Sequence, residues 1–153
     1  MKRYLLVATQ KELELPAAKQ AVQEFGYTPI VTGVGGINII RRVRNLPREA
    51  YILNVGYVGS PNLPIGTEVH IGIAHAYHPG ITFLEEDTII STDDFTHCYT
   101  AGDFVEGSAQ LPPDCVVDME LAYIAAFGFD KLAAVKYVSD NLDYNQYQES
   151  LKR

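Results

Sequence analysis

Apolar residues fall along this chain in short runs of two kinds, and the two kinds alternate. "YLLVA" (4–8) is a compact apolar run of strand length. From about Leu13 to Phe25 the apolar positions spread out: Leu15, Ala18, Val22 and Phe25 share one face of a helix. Pro16 sits in its first turn, where a missing N–H is harmless, and Gly26 ends it. "TPIVTGV" (28–34) predicts a second strand. Gly33, Gly35 and Gly36 then make a flexible turn into a helix carrying Ile37, Ile40 and Val43. "YILNVGYV" (51–58) predicts a third strand, running into a Gly- and Pro-rich loop at 59–66. "TEVHIGIAHAY" (67–77) alternates as a strand does, and "TIIS" (88–91) is another short one. After a polar loop, "VVDMELAYIAAF" (116–127) reads as an apolar helix ending near Gly128. "LAAVKYVS" (132–139) is a last, mostly apolar strand, and "DNLDYNQYQESLKR" a short helical tail.

Strands that are apolar on both faces and separated by helices predict an α/β fold with a largely parallel core. A length of 153 residues suits one domain spanning 1–153. In such sheets ligands sit beyond the carboxyl ends of the strands. The polar residues at those ends are therefore the candidates for chemistry: Thr9 to Glu12, Gly33 to Gly36, Asn54 to Ser60, Ser91 to Phe95, and Ser139 with Asp140.

Composition narrows the function classes. Hydrophobic residues make up 47% and charged residues 20%, ordinary for a soluble globular protein, and no run approaches bilayer-spanning length. The apolar stretch in "MKRYLLVATQKELEL" is too short for a signal-peptide core, which predicts a cytoplasmic protein with no membrane partner. Cys98 and Cys115 make neither a disulfide framework nor a metal site and read as small core residues. His70, His75, His78 and His97 form no metal-ligand motif, so neither metal nor cofactor is expected. A net charge of −7 argues against a nucleic-acid partner. The one basic cluster, Arg41, Arg42 and Arg44 followed by Arg48, reads as a solvated helix face, with an anion site as the lesser alternative.

Three carboxylates stand where chemistry could use them. Glu12 follows the first strand, Glu120 lies in the "DMELA" stretch and Asp140 follows the last strand. A first-turn helix carboxylate is an ordinary use for Glu12, and an N-cap for Asp140. Glu120 is harder to dismiss: Met119, Leu121, Ala122 and Ile124 around it imply partial burial. A buried carboxylate needs a hydrogen-bonding partner, such as a pair of sugar hydroxyls. "TGVGG" is neither a Walker sequence nor G-x-G-x-x-G, since Asn38 occupies the last glycine position. It reads as a tight turn that admits a close backbone contact.

Taken in order, "VATQKELELP", "VTGVGGINI", "ILNVGYVGSPNLPIGTEV", "STDDF", "VVDMELAYIAAF" and "KYVSDNLD" resemble the nucleoside phosphorylase superfamily. They are most similar to its nucleosidase branch, 5′-methylthioadenosine/S-adenosylhomocysteine nucleosidase and futalosine hydrolase. "DMELAYIA" is similar to the family's V-E-M-E-x-x-A-I-A helix and "VSDNLD" to its I-S-D-x-A-D. The resemblance implies a trimmed three-layer αβα domain around a mixed, largely parallel sheet. It also implies hydrolysis of the N-glycosidic bond of a 5′-modified purine nucleoside. Glu12 would activate water. Asp140, oriented by Ser139, would protonate the departing base. Glu120 would accept the ribose hydroxyls with Met119 packed beside the sugar, Phe95 would stack on the base, and Gly35 and Tyr57 would lie along the substrate. The partner is then a purine nucleoside or nucleobase, and the protein a homo-oligomer, foremost a dimer, whose neighbour helps close the pocket.

The chain departs from the family pattern in places. It is shorter: "EFGY" runs directly into "TPIVTGV", the segment from Tyr77 to Asp87 is compressed and the final helix is curtailed. Val55 and Tyr57 stand where relatives often carry a small hydroxyl residue, Asp118 replaces a Glu and Thr92 a glycine. These changes leave room for a catalytically weak binder of nucleosides or nucleobases. A phosphorylase of the same fold is the other alternative. Phosphate in a closed site needs fixed positive charge, and no Arg or Lys lies between Arg48 and Lys131, so hydrolysis is the better supported reaction.

Overall fold

The computed structural model describes residues 2–77, 87–102, 104–107 and 111–152. His78 and the rest of the segment between Tyr77 and Asp87 lie outside them. The strand β1 (Arg3–Val7) is flanked in parallel by β2 (Thr28–Val31) and β3 (Tyr51–Gly59). The crossovers run through α1 (Pro16–Glu24) and α2 (Gly36–Val43). Successive residues of a strand point to opposite faces, and β1 uses both. Leu5 and Val7 pack with Leu15 and Ala18 on the α1 side, while Leu6 packs with Ile39 and Val43 of α2 and with Ile124. The result is three layers, helix on sheet on helix.

Beyond β3 the sheet curls. β3 runs parallel to β8 (Lys131–Asp140), and β8 pairs antiparallel with β4 (Glu68–Ala76). β4 is parallel to β6 (Thr96–Thr100), and β6 to β7 (Val116–Asp118). β7 returns to β3 through Gly59 and Val117. Five strands thus close a ring, with β5 (Thr88–Ile89) added antiparallel to β4. Val58, Ile71, Cys98, Val116, Ala134 and Val138 belong to one buried cluster contributed by the ring strands. The sheet is mixed and largely parallel, as expected. Two more helices follow: α3 (Leu121–Ala125) and α4 (Tyr144–Lys152).

The structure redraws several elements. The helix predicted from Leu13 is a 3₁₀ turn, Gln10–Glu14, followed by α1 starting at Pro16. Leu15 between them is extended (ψ 144°), because the residue before proline avoids the helical region. With the start moved, Ala18 and Ala21 become the buried face, and Val22 and Phe25 are exposed. "VVDMELAYIAAF" is not one helix. Val116–Asp118 is strand β7, in register with Cys98, Tyr99 and Thr100, and the helix proper is only Leu121–Ala125. The supposed polar loop after Ser91 contains β6, whose sequence THCYT carries too little apolar character to announce a strand.

Candidate functional site: a carboxylate-lined cavity

The carboxyl ends of β1, β3, β7 and β8 open onto one cavity, floored by those strand ends and roofed by α4 with Phe104 and Val105. Glu12, Glu120 and Asp140 all line it, together with Met119, Ser139 and Tyr57.

Glu12 arrives from the 3₁₀ turn after β1 and is buried. One carboxylate oxygen, Oε1, accepts the backbone N–H groups of Ala8 (2.8 Å) and Thr9 (2.9 Å), and Oε2 accepts that of Tyr57 (2.8 Å). A carboxylate has about four lone-pair positions. Three are taken, which fixes the group and leaves one for an incoming donor. The approach to β3 is possible because Gly56 has no side chain: a Cβ there would lie 2.8 Å from Glu12 Oε2.

Asp140 closes β8. Its Oδ1 accepts the Ser139 hydroxyl (2.9 Å) and its Oδ2 the Leu142 N–H (3.0 Å). Burial raises its pKa above the ordinary aspartate value, and these two hydrogen bonds only partly oppose the shift. It therefore holds a proton at higher pH than a solvated aspartate does. Gly59 gives it room, since a Cβ there would lie 2.8 Å from Asp140 Oδ2 and 2.5 Å from a Leu142 methyl.

Glu120 is the residue before α3 and accepts the N–H of Met119 (2.8 Å). Burial first, and then the neighbouring Asp118 carboxylate, push its pKa up to about 8. Lys136 opposes that rise. It is 2% exposed, it projects from β8, and its Nζ lies 3.1 Å from Asp118 Oδ2. Asp118 also accepts the Thr100 hydroxyl and the Leu121 N–H, which ends the strand and starts α3. Desolvation works against the Lys136 charge, but the surrounding carboxylates outweigh it and raise its pKa. One buried cation thus serves a cluster of acidic groups.

Two of the expected site residues stand elsewhere. Phe95 is 85% exposed and lines no part of this cavity. Gly35 caps α2 with φ +92°, a left-handed backbone that favours glycine, and is also absent from the lining. The aromatic groups that do line it are Phe104 and Tyr147, stacked with centroids 4.8 Å apart, along with Tyr57. "DF" occurs twice in the sequence, at 94–95 and 103–104, and the second pair supplies the lining ring. Lys136 had a signal too: a lone lysine inside an apolar strand demands a buried acid.

The fold and the cavity together define an α/β protein with an acidic cavity at the carboxyl ends of its sheet. Solved structures similar to this chain in fold include two MTAN structures and a futalosine hydrolase. MTAN of Chlamydia trachomatis, in an Asp-to-Asn form, superposes with a TM-score of 0.74 at 16% identity, over 99% of this chain and 88% of that one. Helicobacter pylori MTAN, an Asp-to-Asn mutant with 5′-methylthioadenosine in its active site, gives 0.70 at 14% identity, over 99% and 91%. Futalosine hydrolase of the same organism gives 0.70 at 15%, over 99% and 90%. No protein-family model and no curated protein matches the chain.

Proposed function

We propose that this protein is a purine nucleosidase-type hydrolase that cleaves the N-glycosidic bond of a 5′-modified purine nucleoside. The observation that carries the reading is the convergence of Glu12, Glu120 and Asp140 on one cavity. Breaking that bond passes through an oxocarbenium-like sugar, so the leaving base needs an acid and the incoming water a carboxylate. Asp140, with its raised pKa, is the acid that meets the base nitrogen. Glu12, fixed by three backbone donors, holds and deprotonates the water. Glu120 accepts the ribose hydroxyls with Met119 beside the sugar, and Ser139 orients Asp140. Phe104, which lines the cavity, meets the base in place of Phe95, which does not.

Hydrolysis is favoured over phosphorolysis by the state of the two lysines nearest the site. Lys136 is held by Asp118, and Lys11 donates to the Ser150 carbonyl (2.6 Å). Both are thus engaged by groups of the chain itself. The two buried free thiols suit a reducing, cytoplasmic setting.

The oligomer we propose is a dimer through α2. Ile37 and Ile40 are exposed on that helix, and Val34 just before it is both exposed and part of the cavity lining. A second copy seated there would cover this apolar face and close the mouth. Sedimentation velocity should show a dimer for the wild type and a monomer for Ile37→Asp; a monomeric wild type would rule the dimer out.

The test of the activity is a nucleoside panel assayed for free base with and without phosphate. Base release independent of phosphate is expected, with Asp140→Asn and Glu12→Gln each slower by at least about a hundredfold. Turnover near wild type in either variant removes that residue from the mechanism, and a strict phosphate requirement replaces hydrolysis by phosphorolysis.

A further inference from the structure

The free space in the cavity, about 90 Å³, is far below the roughly 300 Å³ at which pockets for drug-sized ligands begin. A nucleoside enters only if part of the wall gives way. The strand-end floor is fixed by the carboxylate hydrogen bonds described above. The roof is different. Ser150 is the one buried residue of α4, so the helix is lightly packed. It is fastened at a few points: Lys11 to the Ser150 carbonyl, the Tyr144 N–H to Glu106 (3.2 Å), and the Gln146 side chain to the Asn141 N–H (2.8 Å). From this helix Tyr147 reaches across to Phe104. Their ring planes lie 28° apart, and Tyr144 meets the same Phe104 ring edge-on at 5.5 Å.

We propose that Tyr147 is the second wall of the base subsite, and that a purine enters between Tyr147 and Phe104 by parting their stack. The inference rests on the nucleosidase reading for the identity of the ligand. Aromatic carbons pack at about 3.5 Å, so a ring between two others needs about 7 Å from wall to wall. The present spacing of 4.8 Å must therefore widen by about 2 Å, a displacement within reach of so lightly held a helix. One ring stack is lost and two base stacks form, so the exchange favours the ligand. Tyr147 also sits in the field of the site. Burial first, and then the carboxylates of Glu120, Asp140 and Glu12, push its phenol up.

Adenine binding by calorimetry to the full chain tests this, with 1,4-dideoxy-1,4-iminoribitol as a probe that has a sugar but no base. Tyr147→Ala and Phe104→Ala should each weaken adenine about five- to a hundredfold, the scale of one base–aromatic stack. Tyr147→Phe should stay within about threefold, because the ring is kept. Tyr147→Leu, which preserves apolar bulk and safeguards folding, should weaken adenine as alanine does. Iminoribitol should bind every variant alike, a result that a merely structural role for Tyr147 would not give. If the wild type binds adenine and Tyr147→Ala or Tyr147→Leu binds it equally well, the second wall is refuted while the nucleosidase reading stands. If the wild type binds neither adenine nor any nucleoside, both fall.

Discussion

Lys136 is the only positive charge fully enclosed with Asp118, Glu120 and Glu12 among the described residues, and its removal has a calculable effect. In Lys136→Met the chain keeps the side-chain volume and loses the charge. Breaking a buried ion pair by deleting one partner costs about 3–5 kcal/mol, a large share of the roughly 5–15 kcal/mol that a domain has. At about 2–4 °C per kcal/mol for a chain of this size, the melting temperature should fall by roughly 6–20 °C. The loss should depend on pH, and its sign follows from Glu120. A carboxyl whose folded pKa is raised contributes stability that is present below its unfolded value and lost as pH rises through the folded one. Lys136 restrains the Glu120 pKa at about 8, so without the lysine it climbs further and the ionised form is penalised more. The deficit of the variant should thus be smallest near about pH 5, where Glu120 is protonated in both proteins, and widen toward about pH 8.5. Adding Asp118→Asn, which keeps the acceptor for the Leu121 N–H but removes the stranded charge, should recover much of it. Thermal melts followed by circular dichroism across this range decide the matter. A variant melting within about 2 °C of wild type near about pH 8.5, or a deficit indifferent to pH, would refute the argument.

Other changes have equally definite outcomes. Gly59→Ala drives a Cβ against Leu142 and Asp140 and should destabilise the fold by about 1–3 kcal/mol, with a larger loss in kcat than in KM; chemical denaturation and steady-state kinetics measure both. If sugar hydroxyls donate to the Glu120 anion, as proposed, nucleoside binding should tighten as pH rises toward about 8 and release a proton; calorimetry showing no pH dependence would exclude that role. Glu120→Gln should abolish the effect and melt higher than wild type above about pH 8, where the wild-type carboxylate is least comfortable. Phe95→Ala should leave turnover unchanged.

The α/β order and the strands with two apolar faces were readable from residue pattern alone. "YLLVA" and "LAAVKYVS" bury both sides, and burial on both sides is what a continuous apolar run means. Glu12 and Asp140 were readable as candidates because such folds bind ligands at strand ends, and Glu120 because its apolar neighbours implied burial; all three line one cavity. What the pattern hid was short or two-natured. β7 has three residues and abuts a five-residue helix, so two elements spell one helical run. β6 buries Cys98 and Thr100 and leaves His97 and Tyr99 half-buried, so only one small apolar residue marks its inner face. That Phe104 lines the cavity and Phe95 does not was hidden, because both follow an aspartate and local sequence cannot say which ring meets the cavity. Lys136 and Asp118 lie far apart along the chain and meet only once the ring of strands has closed.

That closure has a consequence for how the protein behaves in crowded solution. Strands in a ring offer no free row of backbone donors and acceptors, so they cannot recruit a stray strand from another molecule. Among the described residues the exposed margins are β2 and β5. β2 carries Pro29, which lacks a donor, and β5 is two residues long. Among the described residues, fibrillar assembly by strand addition has little to begin from, a built-in guard against amyloid-type growth.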